Sequence, residues 1–255
     1  MPFDLVTIPC LSDNYAFLLR DGDTGEVAVI DVPDAAPIKA ELAKRGWRLT
    51  QVWLTHHHWD HVDGLADLLS DHPAKVVGAK ADAHRLPDLD LAVSEGDTVT
   101  LGGLKAQIFD VSGHTLGHIA FYVAGAGACF TADSLMALGC GRLFEGTPEQ
   151  MWTSMQKLMT LPPETLICSG HEYTASNAKF ALTVDPGNAA LISRANDIDE
   201  ARAKGIPTVP STLRTELDTN PFLRPADPGL RATLRMQTAS DAEVFTEIRK
   251  RKDDF

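Results

Sequence analysis

Short apolar runs separated by turn residues fill the first two-thirds of the chain. Phe3, Leu5 and Thr7 fall at alternate positions, and apolar runs at 15–19 and 27–30 follow, with Asp-Gly and Thr-Gly pairs between them. That pattern predicts β-strands joined by tight turns. Further strands are predicted at 52–54, 75–77, 99–101, 104–109, 119–123, 128–130 and 166–168. Gly102-Gly103 and Gly125-Ala126-Gly127 predict hairpins. Asp34 and Pro37 open a helix with Ile38 and Leu42 on one face, and Gly46 closes it. Thr147, Pro148 and Gln150 make a capping box for another, whose Met151, Met155, Leu158 and Met159 read as core filler. Beyond residue 172 the period turns helical. Residues 189–204 carry Leu191, Ile192, Ala195 and Ile198 and stop at Gly205. Ser240 and Glu243 form a second capping box ahead of Val244, Phe245 and Ile248, and a proline-rich stretch from Pro207 to Pro228 lies between. The reading is a mixed α/β domain over 1–172 followed by a helical appendage over 173–255.

Composition narrows the function classes. The 255 residues carry 23 Lys and Arg against 35 Asp and Glu, a net charge of −12, with 44% apolar residues. This is globular composition with ample material for a core. The acidic balance argues against a general nucleic-acid or anionic-membrane binder. Cys10, Cys129, Cys140 and Cys168 form no CxxC pair and read as reduced thiols. No 18-residue apolar run predicts a membrane span, and Met-Pro-Phe-Asp-Leu has no signal-peptide character, so a cytoplasmic location is expected.

The chemistry concentrates in Thr55-His56-His57-His58-Trp59-Asp60-His61, directly after the 52–54 strand. In an extended segment residues two apart point the same way, so His56 and His58 can share one metal while His57 points away. A helical turn afterwards would swing Asp60 and His61 toward a second metal. Three more segments repeat the arrangement of strand followed by polar residue: Ser112-Gly113-His114-Thr115-Leu116-Gly117-His118, Thr131-Ala132-Asp133-Ser134, and Ser169-Gly170-His171-Glu172. Singly, each reads as a turn. Together with the first segment they supply five histidines and two aspartates, enough to enclose two metal ions. His57 and His118 read as supports, and His72 and His84 as surface residues.

The strings THHHWDH, GHTLGH, TADS and GHEYT, in this order, resemble the metallo-β-lactamase fold. CGRLFEGT (140–147), GHEYTASNAKFA (170–181), NPFLR (220–224) and the terminal RKRKDDF are similar to glyoxalase II, the hydroxyacylglutathione hydrolases, across nearly the whole chain. The resemblance implies a four-layer αβ/βα sandwich with a small C-terminal helical domain. It implies that His56, His58 and His114 hold one metal, that Asp60, His61 and His171 hold another, and that Asp133 bridges them. Asp60 and Asp133 thereby belong to the catalytic centre, where a metal-held hydroxide is the nucleophile. Zinc is the expected ion, with iron and manganese compatible, since imidazole and carboxylate suit all three.

The implied reaction is hydrolysis of S-(2-hydroxyacyl)glutathione, such as S-D-lactoylglutathione, to glutathione and a 2-hydroxy acid, a step in methylglyoxal detoxification. A thiol leaves as thiolate with a pKa of about 8.5, so the lack of an obvious general acid suits a thioester better than an amide. Resemblance also implies substrate contacts from Arg142, Phe144, Tyr173, Arg249 and Lys252. Family members often carry Lys at 142 and Tyr at 144; Phe144 lacks the hydroxyl, and Arg142 keeps the charge with a different donor geometry. TADS stands where TGDT is commoner, so Ala132 alters the local turn. A monomer is expected. The alternatives are another hydrolase of this fold, acting on lactones or other thioesters, and a non-catalytic metal-binding protein. A lactamase would be exported, a nuclease would want a basic surface, and a single-iron persulfide dioxygenase would not need the second ligand set.

Overall fold

The structure, a computed structural model, describes residues 2–255. The backbone divides into two compact units. One runs to Asp110 and includes Leu116–Ala132; the other combines Val111–Thr115 with Asp133–Phe255.

The first unit contains strands β1 (Phe3–Cys10), β2 (Asn14–Asp21) and β3 (Val27–Ile30), helix α1 (Ala35–Arg45), β4 (Gln51–Trp53), helices α2 (Trp59–Val62) and α3 (Leu65–Asp71), and strands β5 (Lys75–Ala79), β6 (Leu91–Val93), β7 (Thr98–Leu101), β8 (Leu104–Asp110), β9 (Ile119–Val123) and β10 (Ala128–Ala132). Strands β1 to β6 form a sheet in sequence order. It is antiparallel from β1 to β3 and parallel from β3 to β6. All four residues of β3 are buried, as expected where a parallel strand is covered on both faces. Strands β7 to β10 form an antiparallel meander. There β7 and β8 alternate, with Val99, Leu101, Leu104, Ala106 and Ile108 buried. The two predicted hairpins are present: Leu101 pairs with Leu104 across Gly102-Gly103, and Val123 with Ala128. The core lies between these strand groups, where Trp53 stacks on Phe121 with ring centroids 5.1 Å apart and Phe17 meets Phe130 at 5.7 Å. Helix α1 is closed as predicted, with Asp34 accepting from the Ala36 amide and Gly46 left-handed at φ 64°.

The second unit contains strands β11 (Leu135–Met136) and β12 (Gly139–Cys140), helix α4 (Pro148–Leu158), β13 (Leu166–Ser169), helices α5 (Thr174–Val184) and α6 (Ala189–Ala203), β14 (Ser211–Thr212), and helices α7 (Leu213–Thr219), α8 (Pro228–Leu234) and α9 (Asp241–Asp253). Both predicted capping boxes are formed, at Thr147 and at Ser240. In α4, Met151, Met155 and Leu158 are buried, while Met159, beyond the last turn, is only half-buried. In α6, Leu191, Ala195 and Ile198 pack into one cluster with Leu138, Ala178 and Ala181. Ile192 departs from the expected face and is 44% exposed. It stands about 100° around the helix from Leu191, past the edge of the apolar stripe.

A buried carboxylate organises this unit. Glu216 on α7 accepts the Leu138 amide at 2.8 Å and the Asn220 side-chain amide at 3.1 Å through Oε2; its Oε1 accepts Arg194 and Ser211, each at 2.5 Å. Asn220 also donates to the carbonyls of Met136 and Gly139, at 3.1 and 3.0 Å, so it holds both strands of the β11–β12 hairpin. Removing one partner of a buried, hydrogen-bonded ion pair costs about 3–5 kcal/mol. Glu216→Ala should therefore lower unfolding stability by roughly that amount in a urea titration, whereas Arg251→Ala, at a solvent-exposed pair with Glu247, should change it by less than about 1 kcal/mol.

Candidate metal centre

The first unit carries one half of the expected ligand set. After β4 the chain stays extended through His58, whose ψ is 143°, and then turns into α2. The His56 and His58 rings consequently lie 4.8 Å apart on one side, with ligand atoms within 4.8 Å of each other. The α2 turn brings the His61 ring to 4.2 Å from that of His56, and Asp60 and His61 also offer ligand atoms within 4.8 Å.

His56, Asp60 and His61 are each held from behind. Asp31, buried and left-handed at φ 57°, directly follows β3. Its Oδ1 accepts the Thr55 amide at 2.9 Å, and its Oδ2 accepts the Thr55 hydroxyl and lies 2.8 Å from His61 Nδ1. A proton on Nδ1 facing that carboxylate leaves His61 Nε2 as the lone-pair nitrogen. Thr55 Oγ1 also lies 3.0 Å from His56 Nδ1. Asn14 donates to the Asp60 carbonyl at 3.0 Å and to its Oδ2 at 3.2 Å. His57 points away, as expected, to Asp82 Oδ2 at 3.0 Å, and Arg85 clasps the other oxygen of that carboxylate at 2.5 Å. His118 is buried and stacks on His56 at 4.6 Å. His84 is exposed as expected; His72 is half-buried.

The second unit carries the rest. His114, Asp133 and His171 are all buried. Asp133 Oδ2 lies 3.4 Å from His114 Nε2 and 3.3 Å from His171 Nε2, one carboxylate oxygen between two imidazole nitrogens. His114 Nδ1 lies 2.7 Å from the Arg142 carbonyl, which can only accept, so this nitrogen carries the proton and Nε2 the lone pair. The His114 loop rests on α4. Ser154 Oγ donates to the Ser112 carbonyl at 2.7 Å, and a Cβ at Gly113, whose φ is 150°, would come within 2.8 Å of Met151 Cβ. The methionine face thus seats the His114 loop as well as filling core. Ala132, just before Asp133, takes φ 39°, a left-handed conformation that strains any residue with a Cβ.

The five side chains expected on the substrate side follow by a chain of contacts within the same unit. Phe144, 61% exposed, meets His114 edge-on at 5.3 Å, and Tyr173 stacks on His171 at 4.6 Å. Arg142 is mostly exposed, with Nε 3.5 Å from Asp253 Oδ1. Arg249 is buried. It donates to the Cys140 carbonyl at 2.8 Å and to Asp253 at 2.9 Å, and it lies over Phe222. Lys252 is half-buried over the rings of Phe180 and Phe255; burial, and then the neighbouring Arg249 charge, hold its pKa below the usual lysine range.

The donor chemistry fits divalent metal ions. It consists of imidazole nitrogens and carboxylate oxygens. The thiols stand apart. All four are buried and none is in a disulfide, and burial raises Cys10 and Cys140 to a pKa of about 11, which keeps them protonated. Backbone is drawn tightly around the ligands: a Cβ at Gly141 would collide with the Asp133 carbonyl and approach His114 Nδ1 to 3.0 Å. Sequence reasoning missed Asp31, Asp82 and Asn14, because a single acid or amide beside a strand reads as a turn residue.

Comparison with known proteins agrees with this chemistry. Residues 12–171 match the metallo-β-lactamase superfamily, and residues 172–255 match the hydroxyacylglutathione hydrolase C-terminus. A hydroxyacylglutathione hydrolase of Ruegeria pomeroyi is 66% identical over all of both chains. Among solved structures, ETHE1 from Myxococcus xanthus is similar with a TM-score of 0.66 and 26% identity, covering 98% of this chain and 90% of that one. TTHA1623 in a di-iron-bound form is similar with a TM-score of 0.61 and 25% identity, covering 86% and 100%. The expected α/β class, with metallo-β-lactamase architecture and a C-terminal helical part, is borne out. With both parts matched and two-thirds of its residues shared along an entire relative, the chain belongs to the hydroxyacylglutathione hydrolase family of the metallo-β-lactamase superfamily.

Proposed function

We propose that the chain is a metal-dependent hydrolase that cleaves S-(2-hydroxyacyl)glutathione, with S-D-lactoylglutathione as its type substrate, to glutathione and a 2-hydroxy acid. In this reading His56, His58 and His114 hold one divalent ion, Asp60, His61 and His171 hold a second, and Asp133 bridges them. Zinc is the proposed ion. The observation that carries the reading is the Asp133 carboxylate oxygen set 3.3 and 3.4 Å from two buried imidazole nitrogens, in a chain of this family. When bound, the two ions supply a water that ionises near neutral pH and a Lewis acid for the thioester carbonyl.

The chain's own residues do the rest. Asp31, Thr55, Asn14 and the Arg142 carbonyl orient His61, His56, Asp60 and His114, so these four need little reorganisation for binding. Tyr173 and Phe144 give flat walls beside His171 and His114. Arg142, Arg249 and Lys252 supply positive charge for the carboxylates of glutathione, and Phe144 contributes packing without a hydroxyl bond. The leaving thiol ionises at about pH 8.5, so the protein need not provide a strong acid. The division of labour is proposed to fall at residue 172, with all seven ligands before it and Tyr173, Arg249 and Lys252 after it. A cytoplasmic, monomeric enzyme completes the reading; no described helix is long and apolar enough to cross a membrane.

Purified protein should bind two equivalents of zinc and hydrolyse S-D-lactoylglutathione. A chelator should abolish turnover, and added zinc should restore it. Full metal loading without turnover of any glutathione thioester would remove the assignment. Asp31→Ala should weaken zinc binding roughly 10–100-fold in a competition titration, because it frees His61 Nδ1 from its acceptor. Lys252→Ala should raise KM roughly 10-fold while changing kcat less, the signature of lost uniform binding; steady-state kinetics at fixed ionic strength read the split.

A further inference from the structure

The C-terminal helix is tied to a metal ligand by three backbone residues. Arg249 Nη1 donates to the Cys140 carbonyl at 2.8 Å, and the Gly141 amide, on the other edge of that same peptide, donates to the Ser134 carbonyl at 3.0 Å. The peptide is therefore pinned on both sides. Two residues on from Cys140, the Arg142 carbonyl receives His114 Nδ1 at 2.7 Å. No slack exists between these points, since a Cβ at Gly141 would already strike the Asp133 carbonyl and crowd His114. Arg249 is itself immobilised: it is 95% buried, Asp253 takes Nη2 at 2.9 Å, and its guanidinium lies 5.2 Å from the centre of the Phe222 ring. With one arm on Cys140 and the other on Asp253, its fork sets the position of the 140–142 backbone.

We infer that Arg249 is a positioning residue for the metal ligand His114: it clamps the Cys140–Gly141 peptide so that the Arg142 carbonyl holds His114 with Nε2 bare. This goes beyond a charge for the substrate and rests on the reading of His114 as a ligand. Lys252 provides the contrast. It carries the same charge on the same helix but sits over Phe180 and Phe255.

The test is zinc affinity, measured by competition with a chromogenic chelator, alongside circular dichroism and thermal melting of the metal-free proteins. Wild-type binding of two zinc ions checks the underlying reading independently; if the wild type fails to bind them, both fall. Folded Arg249→Met, which fills the slot without donors, or Arg249→Gln, which is too short to span it, should bind one of the two ions at least 10-fold more weakly. Lys252→Met should bind both like the wild type and show only a raised KM. Zinc affinity within twofold of wild type in either folded Arg249 variant overturns the inference. Should neither variant fold, the 15N shifts of His114 in the metal-free wild type decide. A proton on Nδ1 is the result expected, and a proton on Nε2 overturns the clamp.

Discussion

An imidazole has two nitrogens, and a metal site uses only one; where the other goes governs how this structure is arranged. Three of the histidines proposed as ligands spend Nδ1 on the protein. His61 spends it on Asp31, His56 on Thr55, and His114 on the Arg142 carbonyl. A carbonyl or carboxylate partner admits a single tautomer, so the lone pair on Nε2 is fixed by an acceptor several residues away. Three partners must then be placed to a few tenths of an ångström, and much of the surrounding architecture does this. Asp31 is forced into a left-handed backbone to reach both Thr55 and His61. Strain of that kind persists only where its surroundings over-determine it, and here two strands and α2 converge on one carboxylate.

The second unit solves the same problem with longer levers. The His114 loop is seated on α4 through Ser154 and Met151, and its Nδ1 acceptor sits in a segment emerging from the β11–β12 hairpin. That hairpin is held by Asn220, which is held by Glu216, which is neutralised by Arg194. The helical part thus supports His114 as well as carrying the buried cations. It sets the backbone from which the His114 acceptor hangs, and the Asn220-Pro221-Phe222 turn that carries the hairpin also places the ring beneath Arg249.

Much of this was legible because it depends on local periodicity. His-x-His in an extended stretch after an apolar strand fixes two rings on one side, and the capping boxes at Thr147 and Ser240 fix two helix starts. What stayed hidden depends on contacts between distant segments. Asp31 is 30 residues from His61 and Asp82 is 25 from His57, with nothing local to distinguish either from a turn aspartate. Helix α5 begins Thr-Ala-Ser-Asn with no side-chain cap, so its start carries no local signature. The departure at Ala132 was visible as a missing glycine, but its consequence, a left-handed alanine one residue before Asp133, needed the backbone. Ile192 was misplaced because an apolar residue at the margin of a helical stripe looks the same in sequence whether it faces in or out.

A chain of net charge −12 that is proposed to take an anionic tripeptide thioester poses an electrostatic question that net charge answers wrongly. Screening removes the influence of exposed charges beyond about 8–10 Å, so the many surface carboxylates act weakly at the site. The cations of the C-terminal helix act differently because they are partly withdrawn from water. Lys252 rests on two aromatic faces and Arg249 on a third. Burial costs Lys252 some of its preference for the charged form, which is why its pKa falls. The same desolvation strengthens whatever anion it meets. Asp253, between Arg249 and Arg142, keeps this cluster from repelling itself before substrate arrives. In an acidic protein, the place to hold an anion is therefore set by where a few positive groups are buried, and the helix that carries them also reaches the backbone that holds His114.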